Sequence, residues 1–252
     1  MPKSIIKFKS IFHPVDVIIP FFSCYHLLSE CLESLIAKTL GVFYTITLVD
    51  DCSPNKNFIA NLEKRKVPIQ YLRHDKQEGF GAALQSGFNN THNDWVVFLH
   101  ADCRIERADW LINMLKTMQD NKDKGVKLVS ARMNDGGTGA FDENVIGSQD
   151  TDLIAEQPLP LVCALTHRNL FNNIGGFIKH YYPFGGEDLE LFWRMKLYNL
   201  KQMICGKSYV HHVGGGTINN VFKGHETQKI FDDNEKLFSS DIRELHSKIK
   251  IN

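Results

Sequence analysis

The chain has 252 residues, of which 43% are hydrophobic and 23% charged, and its 29 Lys+Arg are balanced by 29 Asp+Glu. That composition excludes a disordered or fibrous chain, and the neutral balance lacks the basic excess that supplies affinity for nucleic acid. The length suffices for one large core.

In chain order, Val15–Pro20 is a continuous apolar run ended by proline, the pattern of a buried strand. Leu28, Cys31, Leu32, Leu35 and Ile36 recur at helical spacing before Gly41. Tyr44–Val49 is β-branched and runs into the polar turn Asp50-Asp51-Cys52-Ser53-Pro54. Phe58, Ile59 and Leu62 suggest a short helix, Ile69–Leu72 a strand, and the Gly/Ala-rich Gly79–Phe88 opens a helix. Trp95–Leu99 is a strand with His100-Ala101-Asp102 at its carboxyl end. Trp110, Leu111, Met114, Leu115 and Met118 make a helical face, and Val126–Ala131 is again a strand. Residues 132–160 are rich in turn formers and read as a long surface excursion, a lid or binding loop. Leu161–Leu165 is a return strand, Glu187–Tyr198 a helix, Met203–Ile204 and Ser208–Val213 extended segments, and from Lys223 an amphipathic helix closes the chain.

Strands alternating with helices predict an α/β fold with a mostly parallel sheet flanked by helices. Ligands of such sheets lie outside the carboxyl ends of the strands. No apolar run is long enough to span a bilayer. The basic N-terminus MPKSIIKFKSIF lacks a signal-peptide core and reads as a frayed end, at most a peripheral membrane contact. The six cysteines follow no zinc or disulfide spacing, which suggests reduced thiols and a cytoplasmic location.

Five constellations carry possible chemistry, each with a structural alternative. A carboxylate of Asp50-Asp51 could accept from a nucleobase or ribose, or serve turn chemistry before Ser-Pro. Gly79-Phe80-Gly81-Ala82-Ala83 allows close backbone approach to an anion or tight helix–sheet packing. It matches neither the dinucleotide nor the P-loop spacing. His100 and Asp102, two residues apart at a strand end, point the same way and could share a cation. Glu187-Asp188 suits general-base work or simple helix N-terminal charge. Of His211-His212, one at most faces a site.

Taken in order, VDVIIPFF, LVDDCSP, EGFGAALQSGF, WVVFLHADCRI, CALTHRNLFNNIGGF and FGGEDLELFWRMK resemble family 2 glycosyltransferases of the GT-A fold over Val15 to Gly216. The ending HHVGGGT is similar to the rhamnosyltransferase-type branch. The resemblance implies a GT-A domain over 1–218, with 219–252 a helical extension packed on it. It implies an inverting hexosyltransferase that moves a sugar from a UDP or dTDP donor to a glycan or other hydroxyl acceptor. Mn²⁺ (or Mg²⁺) would be the cofactor. Pro20 and Phe22 would line the nucleotide pocket, joined by Asp51, Gly79, His100 and Asp102. Asp102 and His212 would hold the metal, Asp188 would be the catalytic base, and Glu187 and Arg194 would lie on the acceptor side.

The sequence departs from the family pattern at Ser23 and Gln85, where Asn is usual, and at Glu190. It departs most at His100, which replaces the first Asp of D-x-D. Imidazole suits Mn²⁺ better than Mg²⁺. His100 also motivates a rival expectation, a catalytically silent nucleotide-sugar-binding module on the same scaffold. A sugar-1-phosphate nucleotidyltransferase is the other rival, but FFSCYHLLSE after the first strand has no Gly, Lys or Arg.

Overall fold

The computed structural model describes residues 14–55, 68–134, 151–216, 222 and 224–249. Nine strands among them form one sheet: β1 (Val15–Phe21), β2 (Tyr44–Asp50), β3 (Ile69–Arg73), β4 (Trp95–Leu99), β5 (Cys103–Ile105), β6 (Val126–Met133), β7 (Leu153–Ile154), β8 (Cys163–His167) and β9 (Lys201–His212). The helices are α1 (Tyr25–Lys38), α2 (Phe80–Asn89), α3 (Trp110–Asp120), α4 (Asn169–Ile174), α5 (Glu187–Leu197) and α6 (Gly224–Ile249). The strand order is β3-β2-β1-β4-β8-β6-β9-β5, with β7 paired to β9. The sheet is mostly parallel: β1, β2, β3 and β4 run together, and β6 runs with β9. Strand β8 runs antiparallel between β4 and β6, so both of those strands share one direction.

The expected β1 is buried along its whole length, and alternate residues feed opposite faces. Val15, Val17, Ile19 and Phe21 join a core with Leu28, Leu32 and Leu35 of α1 and Trp110, Met114 and Met118 of α3. Ile18 joins Leu84 and Phe88 of α2, Phe171 of α4 and Leu191 of α5 on the other face. Helix α2 lies so close to β1 that a Cβ on Gly87 would come within 2.3 Å of Ile18 Cγ2. Gly87, in the same Gly/Ala-rich segment as Gly79–Ala83, therefore serves close packing.

Several boundaries moved. The return strand is Cys163–His167, and the two extended segments near 203 and 208 are one strand, β9. Its pairing with β6 jumps from Ala131–Cys205 to Arg132–Tyr209, a bulge that hid its continuity. The excursion expected at 132–160 contains the end of β6 and the short β7; residues 135–150 lie outside the described residues, as does the expected helix at 58–62. The N-terminal basic stretch lies outside them too. No described helix is long and apolar enough to cross a membrane.

Helix α6 is fastened to the segment before α5. Asn234 donates to the Phe184 carbonyl at 2.8 Å, Tyr181 donates its hydroxyl to Asp241, and His180 Nε2 lies 2.7 Å from the same carboxylate. Phe231 meets Phe184 edge to face.

Candidate active site

Because β1, β2, β4 and β9 share one direction, their carboxyl ends gather at one edge. A cleft of about 290 Å³ opens there, lined by Pro20, Phe22, Asp51, His100, Asp102, Glu187, Asp188 and His212 among others. Eight of the residues singled out in the sequence thus share one cavity.

The turn after β1 carries two non-glycine residues in the left-handed region, Ser23 (φ 58°) and Cys24 (φ 51°). The Ser23 amide donates to Ser53 Oγ at 2.9 Å, which ties this turn to the one after β2. The two aspartates of that second turn have separate duties. Asp50 accepts from the Ser53 amide, the Tyr71 hydroxyl and Arg73, and so is turn chemistry. Asp51 faces the cleft, accepting the Glu78 amide and His74 Nδ1 on Oδ1 and the Gly79 amide on Oδ2. Gly79 (φ 93°) is buried and acts through that bond; a Cβ there would meet the Pro183 carbonyl at 2.9 Å.

The third group forms because β5 turns back antiparallel to β9 and sets Cys103 opposite His212. The Asp102 carbonyl accepts the Val213 amide at 3.1 Å, which closes the corner. Asp102 Oδ1 then lies 3.3 Å from His212 Nε2 and 3.8 Å from His100 Nδ1, and Oδ2 accepts the Gly216 amide at 3.2 Å. Burial works to raise the Asp102 carboxyl, but the His212 hydrogen bond and the charges of both imidazoles outweigh it and hold the group at about 2. His100 packs its ring edge to face against Phe80 at 4.9 Å and against His212 at 5.4 Å. Candidate ligand atoms of His100, Asp102 and His212 all lie within 4.8 Å of one another. Two imidazoles and one carboxylate are a fitting donor set for a divalent transition ion such as Mn²⁺. His100, expected beside the nucleotide and able by its spacing to share a cation with Asp102, belongs to this group, whereas His211 is not among the cleft residues.

On the opposite wall, α5 begins at Glu187 after Gly185 and Gly186, both at positive φ. Glu187 is 5% exposed; its Oε2 accepts the Gly185 amide at 2.8 Å and its Oε1 has no hydrogen-bond partner among the described residues. Burial pushes its carboxyl up to about 8, with the Asp188 charge adding to the effect. Burial also raises the Asp188 carboxyl, against the amides of Leu189 and Asp188 itself. Asp188 caps nothing beyond that local bond to Leu189.

Arg194 is a correction. It was expected on the acceptor side, but it is 5% exposed and turned inward. Nη1 donates to the carbonyls of Ile174, Gly175 and Gly176 at 3.0, 2.9 and 2.8 Å, and Nη2 to Glu190 at 2.7 Å. These are the orphan carbonyls at the C-terminus of α4, where a cation is favoured. Its partner Glu190 sits one helical turn away, and the pair is buried against the turn at Ile174–Gly176.

Three cleft features were not assigned a role from the sequence. His74 holds Asp51, Phe80 stacks on His100, and Phe231 reaches the cleft from α6. His74 follows a strand, as Asp51 and His100 do, and could have been found by that position; Phe231 looks like any residue of an amphipathic helix.

Residues 16–177 match the model for glycosyl transferase family 2. The chain belongs to that family. It is 28% identical over 137 residues to undecaprenyl-phosphate 4-deoxy-4-formamido-L-arabinose transferase of Edwardsiella ictaluri, covering 48% of this chain and 42% of the relative. It is 32% identical over 89 residues to dolichol-phosphate mannosyltransferase of Pyrococcus furiosus, covering 35% of this chain and 25% of the relative. The chain thus spans less than half the length of these curated relatives. Among solved structures it resembles GalNAc-T7 with UDP, GalNAc and Mn²⁺ (TM-score 0.68, 16% identity, 80% of this chain and 44% of that one). It also resembles a Pyrobaculum calidifontis mannosyltransferase with GDP-Man and Mn²⁺ (TM-score 0.64, 17% identity, 79% of this chain and 56% of that one). These likenesses bear out the GT-A fold.

Proposed function

We propose that this chain is an inverting glycosyltransferase that moves a hexosyl unit from a UDP- or dTDP-sugar to the hydroxyl of a glycan or other acceptor. What carries the reading is that a carboxylate with a raised pKa, Asp188, and a metal-competent cluster, His100, Asp102 and His212, line one cleft. The acceptor oxygen attacks the anomeric carbon opposite the diphosphate, the bond to the diphosphate oxygen breaks, and the acceptor proton passes to Asp188. A carboxylate poised above its ordinary range is a better base at neutral pH than a free one. His100, Asp102 and His212 would hold a divalent cation, which would supply positive charge to the departing diphosphate. Pro20 and Phe22 offer an apolar wall for the base, and Asp51 an acceptor for one of its N–H groups. Only the HHVGGGT resemblance speaks for dTDP over UDP. Residues 1–218 and 219–252 make one functional unit, a reading supported by the ties of α6 to Phe184, Tyr181 and His180.

A second reading, a silent nucleotide-sugar-binding module, is favoured by His100 and by 26% identity over 217 residues to the inactive polypeptide N-acetylgalactosaminyltransferase-like protein 5 of Macaca fascicularis. A panel of nucleotide sugars with Mn²⁺, read for transfer and donor hydrolysis, separates the two. Asp188→Asn is expected to lower turnover by roughly 10²–10⁴-fold while leaving the nucleotide Kd unchanged. Wild-type turnover in that variant, or binding without turnover for every donor, would sink the transferase reading.

A further inference from the structure

We propose that His74 sets the base selectivity of the nucleotide site by occupying one oxygen of Asp51, so that the site takes an imide base, uracil or thymine, and rejects guanine. The inference rests on the reading of Asp51 as the base acceptor.

His74 immediately follows β3, and its amide donates to the Asp50 carbonyl at 2.9 Å, extending the β2–β3 pairing by one step. That places its ring over the end of β2, beside Asp51. The ring is 11% exposed and pinned at both ends. Nδ1 lies 2.7 Å from Asp51 Oδ1 and Nε2 lies 2.9 Å from Ser86 Oγ on α2. A carboxylate only accepts, so the Nδ1 proton points at Asp51, while Nε2 shares a hydrogen bond with the Ser86 hydroxyl. No rotation of the ring keeps both bonds.

Each carboxylate oxygen offers about two lone-pair sites. On Oδ1 both are filled, by His74 Nδ1 and by the Glu78 amide at 2.8 Å. On Oδ2 the Gly79 amide fills one at 2.9 Å. One acceptor site therefore remains, on Oδ2, for whatever enters the cleft that Asp51 lines. Uracil and thymine present a single ring N–H between two carbonyls, which matches one acceptor. Guanine presents a ring N–H and an amino N–H side by side and needs both oxygens. Its second N–H would be desolvated against a saturated oxygen, and leaving a buried donor unpaired is what discriminates strongly. Cytosine and adenine present a bare ring nitrogen beside their amino group, and that lone pair would face the carboxylate. His74 thus makes a symmetric acceptor one-sided.

The test is calorimetry of UDP, dTDP and GDP against the full chain in Mn²⁺, for wild type, His74→Leu, His74→Asn and Asp51→Asn. Wild type should prefer UDP and dTDP over GDP. In His74→Leu the freed site on Oδ1 accepts the second guanine N–H, so the UDP-to-GDP affinity ratio should fall about 10-fold. In His74→Asn the amide donates from nearly the same place as Nδ1, and the ratio should be restored. If His74→Leu does not fold, Ser86→Ala, which unpins the ring, should move the ratio in the same direction. A wild-type preference for GDP, or equal weakening of all three nucleotides in His74→Leu, overturns the proposal. Failure of the underlying reading has a different signature: Asp51→Asn would leave UDP affinity unchanged. If Asp51→Asn weakens UDP but His74→Leu leaves the ratio alone, only the role of His74 is wrong.

Discussion

Glu187 should make the protein lose stability as pH rises, and replacing it with Gln should remove that loss. The side chain is 5% exposed at the start of α5, with one oxygen on the Gly185 amide and the other without a hydrogen-bond partner among the described residues. Burial lifts its carboxyl from an ordinary 4.5 to about 8. In the unfolded chain the group ionises near 4.5, whereas in the native protein it holds its proton to about 8. Between those values the folded state binds more protons, so stability falls as pH rises through the window. Below it the group is neutral in both states and contributes no pH dependence. At ~1.4 kcal/mol per pH unit, the window corresponds to at most about 5 kcal/mol once pH exceeds 8. Gln keeps the carbonyl oxygen that the Gly185 amide needs and has no charge to bury. Urea unfolding of wild type and Glu187→Gln should therefore agree within ~1 kcal/mol near pH 5 and diverge by several kcal/mol near pH 9, with the variant more stable. Parallel stability–pH curves would show that Glu187 ionises freely and that its burial is relieved in solution.

Asp102→Asn should abolish the gain in nucleotide affinity on adding Mn²⁺ while leaving the EDTA value unchanged; an unaltered Mn²⁺ response would remove Asp102 from the metal site. With two imidazoles and one carboxylate as donors, Mn²⁺ should raise the melting temperature more than Mg²⁺ at equal concentration. Arg194→Met strips three carbonyls and leaves Glu190 buried without its partner, a loss of about 3–5 kcal/mol by urea unfolding. If Arg194 contacted acceptor instead, stability would hold and the acceptor KM would rise.

The strands that build the site were legible because each is a largely apolar or β-branched run followed by a polar residue, as in VDVIIPFFS, YTITLVDD and WVVFLHAD. The rule that ligands sit past strand carboxyl ends then selected Asp51, His100 and Asp102. The same rule applied to β3 points at His74, but a lone histidine before Asp-Lys offers nothing in sequence that marks it as Asp51's partner. The union of His100, Asp102 and His212 depended on β5, three residues long and too short to show a period. Glu190 and Arg194 lie at helical spacing, so their pairing is visible, but whether the pair faces water or the turn at Ile174–Gly176 is decided by how α5 docks. Sequence periodicity fixes which residues share a face and leaves open what the face meets.

The cleft has two halves drawn from different stretches of the chain. Pro20, Phe22, Asp51, His100 and Asp102 fall inside the region matching the family model, 16–177, whereas Asp188, His212 and Phe231 fall after it. On the proposed mechanism the first group handles the nucleotide and the second includes the base that meets the acceptor. The second half is also the one α6 helps to shape. Phe231 stands 45% exposed at the cleft wall, and Asn234 and Asp241 hold the 180–184 segment that leads into Glu187-Asp188. A shift of α6 therefore moves the approach to Asp188, and it reaches Asp51 only through the Pro183 carbonyl, which accepts the Phe80 amide at 2.8 Å beside Gly79. On that proposal the donor side rests on the sheet edge, where backbone pairing fixes the ends of β1, β2 and β4. On the same proposal the acceptor side rests on side-chain ties between two helices and a loop, which a few substitutions can reset.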